Sequence, residues 1–389
     1  MNDDTTESGP RRSYLRYAVF ALAALLVLSL GFVLIPREPD APVPPPFSEE
    51  ARAAAFSDAI RLRALAVAAG DAAAASRQEP TAAASQRAVT LLTVQARALM
   101  LPADPALPVS SASPSSPQVP PSPAQASPPS AAAELANALH TSGAQRLSDA
   151  EKADGGIARL LAGTGIAQVL AAEELAARTG TTLGTLPGRS QPGSVPPSPA
   201  APNLAANTAS ASSAASSPAA SCSATEAGPA DLASSFASVA RAELELVYAY
   251  QAALTRLPPG SVAPASDFLA HHQGLRREAG AAAGAHCGTL PPTPAGYALD
   301  AAFLADPAAE LGALEAGTLP AYGDLVALSA GADRAWALAA LEAAARRTAY
   351  WGAATGPVAG MVLDESDLPP FPAVGQRQPT SGTPSRGTP

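Results

Sequence analysis

The chain of 389 residues is expected to be all-α. Apolar side chains recur at steps of three and four in every segment rich enough to pack, and no strand-like alternation of useful length occurs. The 47% hydrophobic content is carried largely by alanine, a strong helix former. Two helices are the most telling. In Asp231–Leu257 the side chains Leu232, Phe236, Val239, Leu246, Val247, Tyr250 and Leu254 trace one face. Glu243 occupies the slot between Val239 and Leu246 where another aliphatic residue belongs. Further along, Glu315 fills the gap between Leu311 and Thr318 in a stripe that continues through Tyr322 and Leu325. An uncompensated buried carboxylate is costly, so two in one domain predict a buried polar centre. Tyr250 and Tyr322 are its expected hydrogen-bond donors.

From the N-terminus, residues 1–16 are expected in the cytoplasm. Residues 17–36 read as a transmembrane helix: YAVFALAALLVLSLGFVLI is uncharged and would span roughly 28 Å, close to a bilayer core. Arg11, Arg12 and Arg16 precede it, which places that end inside and the bulk of the chain extracytoplasmic, as a single-pass cell-membrane protein. A cleaved signal is the rival reading, and Arg11–Arg12 also fits a twin-arginine export motif. The apolar run is longer than a signal core and no small-x-small site follows promptly. Net charge is −9 and no basic run exceeds an arginine pair, so no nucleic-acid partner is expected.

Residues 37–46 form a stiff Pro-rich spacer. Residues 47–184 are a helical region interrupted by a Pro/Ala/Ser stretch, 101–130, that lacks large apolar anchors and should be disordered. Its first hairpin breaks near Gln78–Pro80, with Phe56, Ile60 and Val67 facing Val89, Leu92 and Leu99. Its second is expected to break at Ser142–Gly143 and Asp154–Gly156. The two hairpins either close one four-helix unit or dock on the C-terminal region; the first arrangement is favoured. Residues 185–229 are a second disordered linker and 364–389 a disordered tail.

Residues 230–363 form the best-defined domain. After the helix ending at Leu257, Pro258-Pro259-Gly260 reads as a hard turn, followed by helices from about Ser266 to His286 and from Ala308 to Leu328, the latter kinked at Pro320. A last helix follows Asp333. Four helices, a long connection between the second and third, and inward carboxylates match the plan of ferritin-like bundles. The residues Ala242-Glu243, Val247–Tyr250, Leu257–Pro259, His271-His272, Arg276-Arg277, Pro291–Tyr297, Leu314-Glu315, Ala321-Tyr322 and Tyr350-Trp351 together carry a resemblance. The C-terminal third resembles a ferritin-like domain family of unknown function found in exported proteins of GC-rich bacteria. The resemblance implies a four-helix bundle and no established activity.

A di-iron or di-manganese bundle takes one Glu from each of two helices and Glu-x-x-His from each of the others. Glu243 and Glu315 match the single glutamates. The residues three before His271 and His272 are Phe268 and Leu269, and Glu342 is followed by Ala345 where a His belongs. No resident cofactor is therefore favoured; pairing of the carboxylates with Arg276, Arg277, Arg346 or Arg347, or with the tyrosines, is. The alternative is a degenerate iron or manganese site built from Glu243, Glu315, Glu342, His271 and His272. Cys222 lies before the first helix of the bundle and Cys287 directly after the second, at one end of an antiparallel pair, so a disulfide is expected between them. No CxxC, GxSxG, P-loop or dinucleotide motif occurs. The sequence thus favours a non-catalytic structural or interaction module in the cell envelope, partnered by the membrane and an unidentified envelope protein. A metal-binding or redox protein is the first alternative. A bundle holding a small apolar or cationic ligand in its tyrosine-lined centre is the second.

Overall fold

The computed structural model describes residues 11–33, 45–100, 130–186 and 231–371. Among the described residues there are ten α-helices and no strand. The chain divides into two compact units, Met1–Pro45 and Pro46–Pro389. The first unit contains α1 (Arg11–Val33), whose side chains from Tyr17 to Val27 are all exposed. The expected spacer at 37–44, the linkers at 101–129 and 187–230, and the tail from 372 lie outside the described residues.

The second unit opens with two hairpins, α2 (Phe47–Ala75) with α3 (Glu79–Leu99), and α4 (Ala131–Lys152) with α5 (Gly155–Thr179). Leu62 and Ala66, Val89 and Leu92, Leu135 and Leu139, and Ala172 and Leu175 meet in one core, so the hairpins close a four-helix module. The buried stripe of α2 differs from the expected one. It runs Ala55, Ala59, Leu62, Ala66 and Ala69, while Val67 is 40% exposed. Alanine lets neighbouring helices approach closely, so here the small face wins over the face with larger side chains. The expected break at Ser142–Gly143 is absent because α4 runs through it. A Cβ on Gly143 would stand 2.7 Å from the Gly165 carbonyl oxygen, so both glycines serve a close α4–α5 crossing. Among the described residues α5 is long and apolar enough to cross a bilayer, but 67% of its most apolar window is buried in the fold.

The remaining helices are α6 (Leu232–Ala253), α7 (Pro259–Ala285), the short α8 (Ala301–Ala305), α9 (Pro307–Leu328) and α10 (Gly331–Tyr350). Side chains of Asp231, Asp300 and Asp306 cap α6, α8 and α9 by accepting from the backbone N–H groups of Ser234, Phe303 and Ala309. The turn expected at Pro258–Gly260 is instead the first turn of α7, because proline's fixed φ and missing N–H suit a helix start. α9 is helical straight through Pro320. The four-helix module does not stand apart: Leu161 and Ile166 of α5 share a core with Leu319 and Leu325 of α9 and Leu341 of α10.

Residues 352–371 return across this junction as a strap. Part of the tail expected to be disordered from 364 is therefore packed. Gln95 donates to the Pro357 carbonyl at 2.8 Å, and Arg97 to the carbonyls of Glu365, Leu368 and Pro369 at 2.6, 2.9 and 2.8 Å. Arg63 lies 4.7 Å from the Phe371 ring centroid. These contacts add to apolar anchors of the strap itself: Val358 and Ala359 are fully buried, and Met361, Leu363 and Phe371 pack against the same core. The strap enters where two helices lack a Cβ: one on Gly163 would meet the Ala359 oxygen at 2.3 Å, and one on Gly323 the Gly360 oxygen at 2.2 Å. Gly163→Ala is expected to lower stability by about 1–3 kcal/mol in chemical denaturation, since backbone must move. Gly317→Ala, exposed in α9 with nothing within 4 Å of the added carbon, should instead gain about 0.5–1 kcal/mol. Equal effects at the two positions would refute the strap contact.

Candidate functional site

α6 places Glu243 and Tyr250 two turns apart on its buried face, and α9 does the same with Glu315 and Tyr322. The two helices pack so that each tyrosine reaches the other helix's glutamate. Tyr250 donates to Glu315 Oε1 at 2.8 Å, and Tyr322 donates to Glu243 Oε1 at 2.6 Å. Trp351, just past α10, donates its indole N–H to the Tyr250 oxygen at 2.6 Å, which fixes that hydroxyl as a donor toward Glu315.

The other two helices supply the cations. His272 of α7 lies between the carboxylates, Nδ1 at 2.7 Å from Glu243 Oε2 and Nε2 at 2.9 Å from Glu315 Oε1. Arg347 of α10 donates from Nε to both oxygens of Glu315, at 2.9 and 3.0 Å. Glu243, His272 and Glu315 are 0% exposed. Both ring nitrogens face carboxylate oxygens, and only the imidazolium has a donor at each. Two carboxylates, one imidazolium and one guanidinium make the centre neutral, the condition under which buried charge is tolerated.

Burial would push the His272 pKa down, but the Glu243 and Glu315 carboxylates outweigh both burial and the opposing Arg347, and it is raised. Burial would likewise raise Glu315, but Arg347 and His272 bring it down to about 2. Burial and the carboxylates push both tyrosines up, so they stay protonated donors. His272 therefore contributes stability that is complete below the ordinary histidine value and is lost as pH rises through its raised one. Glu315 contributes stability that is complete above the ordinary carboxylate value and is lost as pH falls toward about 2.

Of the arginines considered as partners, only Arg347 reaches the centre. Arg276 and Arg277 are exposed, and Arg346 bonds Glu173 at 2.6 Å and Glu342 at 3.0 Å. Glu342 is thus drawn toward α5 and away from the centre. His271 diverges from its neighbour and is half-buried; burial and the nearby Arg347 push its pKa down to about 3, so it is neutral. The donors do not fit a di-metal site. His272 has both nitrogens engaged, Glu342 is turned away, and a guanidinium stands against Glu315. Among the described residues no group of three or more His, Cys, Asp or Glu side chains is disposed to hold a metal ion. Nor does the centre offer its tyrosines to a ligand, since both hydroxyls are committed. Cys287, in a left-handed conformation at φ 64°, is disulfide-bonded; Cys222 lies outside the described residues.

A family model described as a domain of unknown function (DUF4439) matches residues 235–373. That stretch takes in every residue of the centre and the strap. Neither the curated proteins nor the solved structures yield a match.

Glu243→Leu would make the α6 stripe continuous, which on sequence grounds alone should be harmless. In the structure it strips His272 Nδ1 and the Tyr322 hydroxyl of their acceptor in a fully buried site. The expected loss is about 3–5 kcal/mol by denaturant unfolding. Tyr322→Phe, which removes one neutral donor, should cost only about 1 kcal/mol. A neutral Glu243→Leu would refute the network.

Proposed function

We propose that the chain is a single-pass membrane protein anchored by residues 17–36, with its N-terminus cytoplasmic and its bulk extracytoplasmic. Its C-terminal bundle is, on this reading, a ferritin-like scaffold that has exchanged metal chemistry for an internal ion network. It acts as a non-catalytic structural or interaction module for a partner in the cell envelope. The observation that carries the reading is His272 held between Glu243 and Glu315 while Arg347 pairs with Glu315. These carboxylates stand where a di-metal bundle would carry its two single glutamates, and here protein cations balance them. The long connection between α7 and α9 and the inward carboxylates support the ferritin-like plan. The exposed apolar side chains from Tyr17 to Val27, behind an arginine-rich flank, support the anchor.

One preparation tests both parts. The full chain should stay in the membrane pellet after a carbonate wash. Once extracted in mild detergent, it should carry less than about 0.1 equivalent of iron, manganese or zinc. Release by carbonate would remove the anchor, and near-stoichiometric metal would overturn the ion network as the site's resident state.

A further inference from the structure

On the outer side of the bundle, the connection between α7 and α8 lies over α6 and α7. Leu290 packs across Gly280 of α7, where an added Cβ would stand 3.2 Å from its Cδ1. Gly288 sits against α6, where an added Cβ would stand 2.9 Å from that of Ala233. Residues 290–294 border a cavity of about 60 Å³ whose wall includes Arg241 of α6 and Arg276 of α7. Both arginines are exposed, and neither makes a hydrogen bond or ion pair among the described residues. Elsewhere Arg52, Arg87, Arg146, Arg159, Arg346 and Arg347 each pair with a carboxylate.

The two guanidiniums act on one point. Burial and then Glu245 push the Tyr297 pKa up, and Arg241 and Arg276 both oppose the rise, so both heads stand near that hydroxyl. Two like charges held together repel, and an anion between them relieves the repulsion. Little in the protein does so. Residues 288–299 carry no charge, Glu245 bonds neither arginine, and Glu278 accepts from Trp336 of α10. Arg277 leaves α7 about 100° away from its neighbour and is not on the cavity wall. We propose that this cavity binds a phosphate dianion, free or as the terminal group of a monoester. Arg241 and Arg276 donate to its oxygens from two helices, the guanidinium fork being well matched to phosphate. Pro291, Pro292 and Pro294 have no N–H to offer, so the side chains carry the recognition. A carboxylate would offset only one of the two charges. The space takes one tetrahedral group and no ring or sugar, so the rest of an ester would lie in solvent.

The site is separate from the ion network and from the anchor, so the proposal stands or falls without them. Full-length protein in a phosphate-free detergent is titrated against inorganic phosphate and glycerol 1-phosphate at about pH 8, where both are largely dianions. Binding is read from the ³¹P signal. Inorganic phosphate should shift saturably, sulfate should displace it, and acetate should compete at least about tenfold more weakly. Tighter binding of the ester would assign the site to a phosphorylated molecule, and equal or weaker binding to free phosphate. Arg241→Gln and Arg276→Gln should each weaken binding about fivefold or more. Arg277→Gln makes the same change in net charge off the cavity wall and should leave binding within about twofold. All three side chains are exposed, so the variants should keep the fold. No saturation by about 20 mM of either probe would overturn the proposal. So would acetate competing as well as sulfate, or Arg277→Gln weakening binding as much as Arg276→Gln.

Discussion

A protonated imidazole placed between two fully buried carboxylates constrains much of the C-terminal bundle. His272, Glu243 and Glu315 are on three different helices, and each contact is at hydrogen-bond length. A charge of this kind is tolerated in a protein interior only while every partner stays in place, because losing one leaves the others buried and unpaired. The helices are therefore held in register by the network as much as by packing. Packing alone would hold them loosely: half of the residues that α7 and α10 bury are alanine, whose small side chain removes little area from water and sets no unique fit. The crossed tyrosines extend the same constraint, each tying α6 to α9 at a different level.

A second constraint joins the two halves of the large unit. α5 is buried against both the N-terminal hairpins and the C-terminal bundle, and the strap crosses it where Gly163 leaves room. The family-matched stretch, 235–373, ends just beyond the described part of this strap. In this chain the strap's carbonyls are held by Gln95 and Arg97, which lie outside that stretch. The N-terminal helices thus complete the docking of a segment that belongs to the C-terminal domain, and the two fold as neighbours with a common core.

The all-helical architecture was legible because helical periodicity survives even in an alanine-rich chain. Glu243 and Glu315 stood out because a charge interrupts an otherwise apolar stripe, and Tyr250 and Tyr322 because they continue those stripes. His272 could not be separated from His271, since neighbouring helical residues point about 100° apart and α7 has too weak an apolar face to say which one turns inward. Arg347 was hidden in the same way beside Arg346. Glu342 looked eligible as a ligand only because the competing Arg346, itself drawn toward Glu173 on α5, cannot be seen without the tertiary contact. The strap was invisible for a different reason: side-chain to backbone hydrogen bonds leave no periodic trace. The small-faced packing of α2 and the continuous α4 were missed because alanine and glycine read as weak or breaking signals in sequence, whereas in space they mark where helices come closest.

The buried network turns on one proton, that of His272, and ¹⁵N NMR of the histidine side chains reads it directly. At neutral pH both ring nitrogens of His272 should show protonated-type shifts, and they should persist well above the ordinary histidine range as pH is raised. His271, held neutral in the same molecule, should show one protonated and one bare nitrogen under the same conditions. A His272 with one bare nitrogen at neutral pH would contradict the account, because the carboxylate facing that nitrogen would then be repelled or protonated and the neutral four-charge centre would not exist.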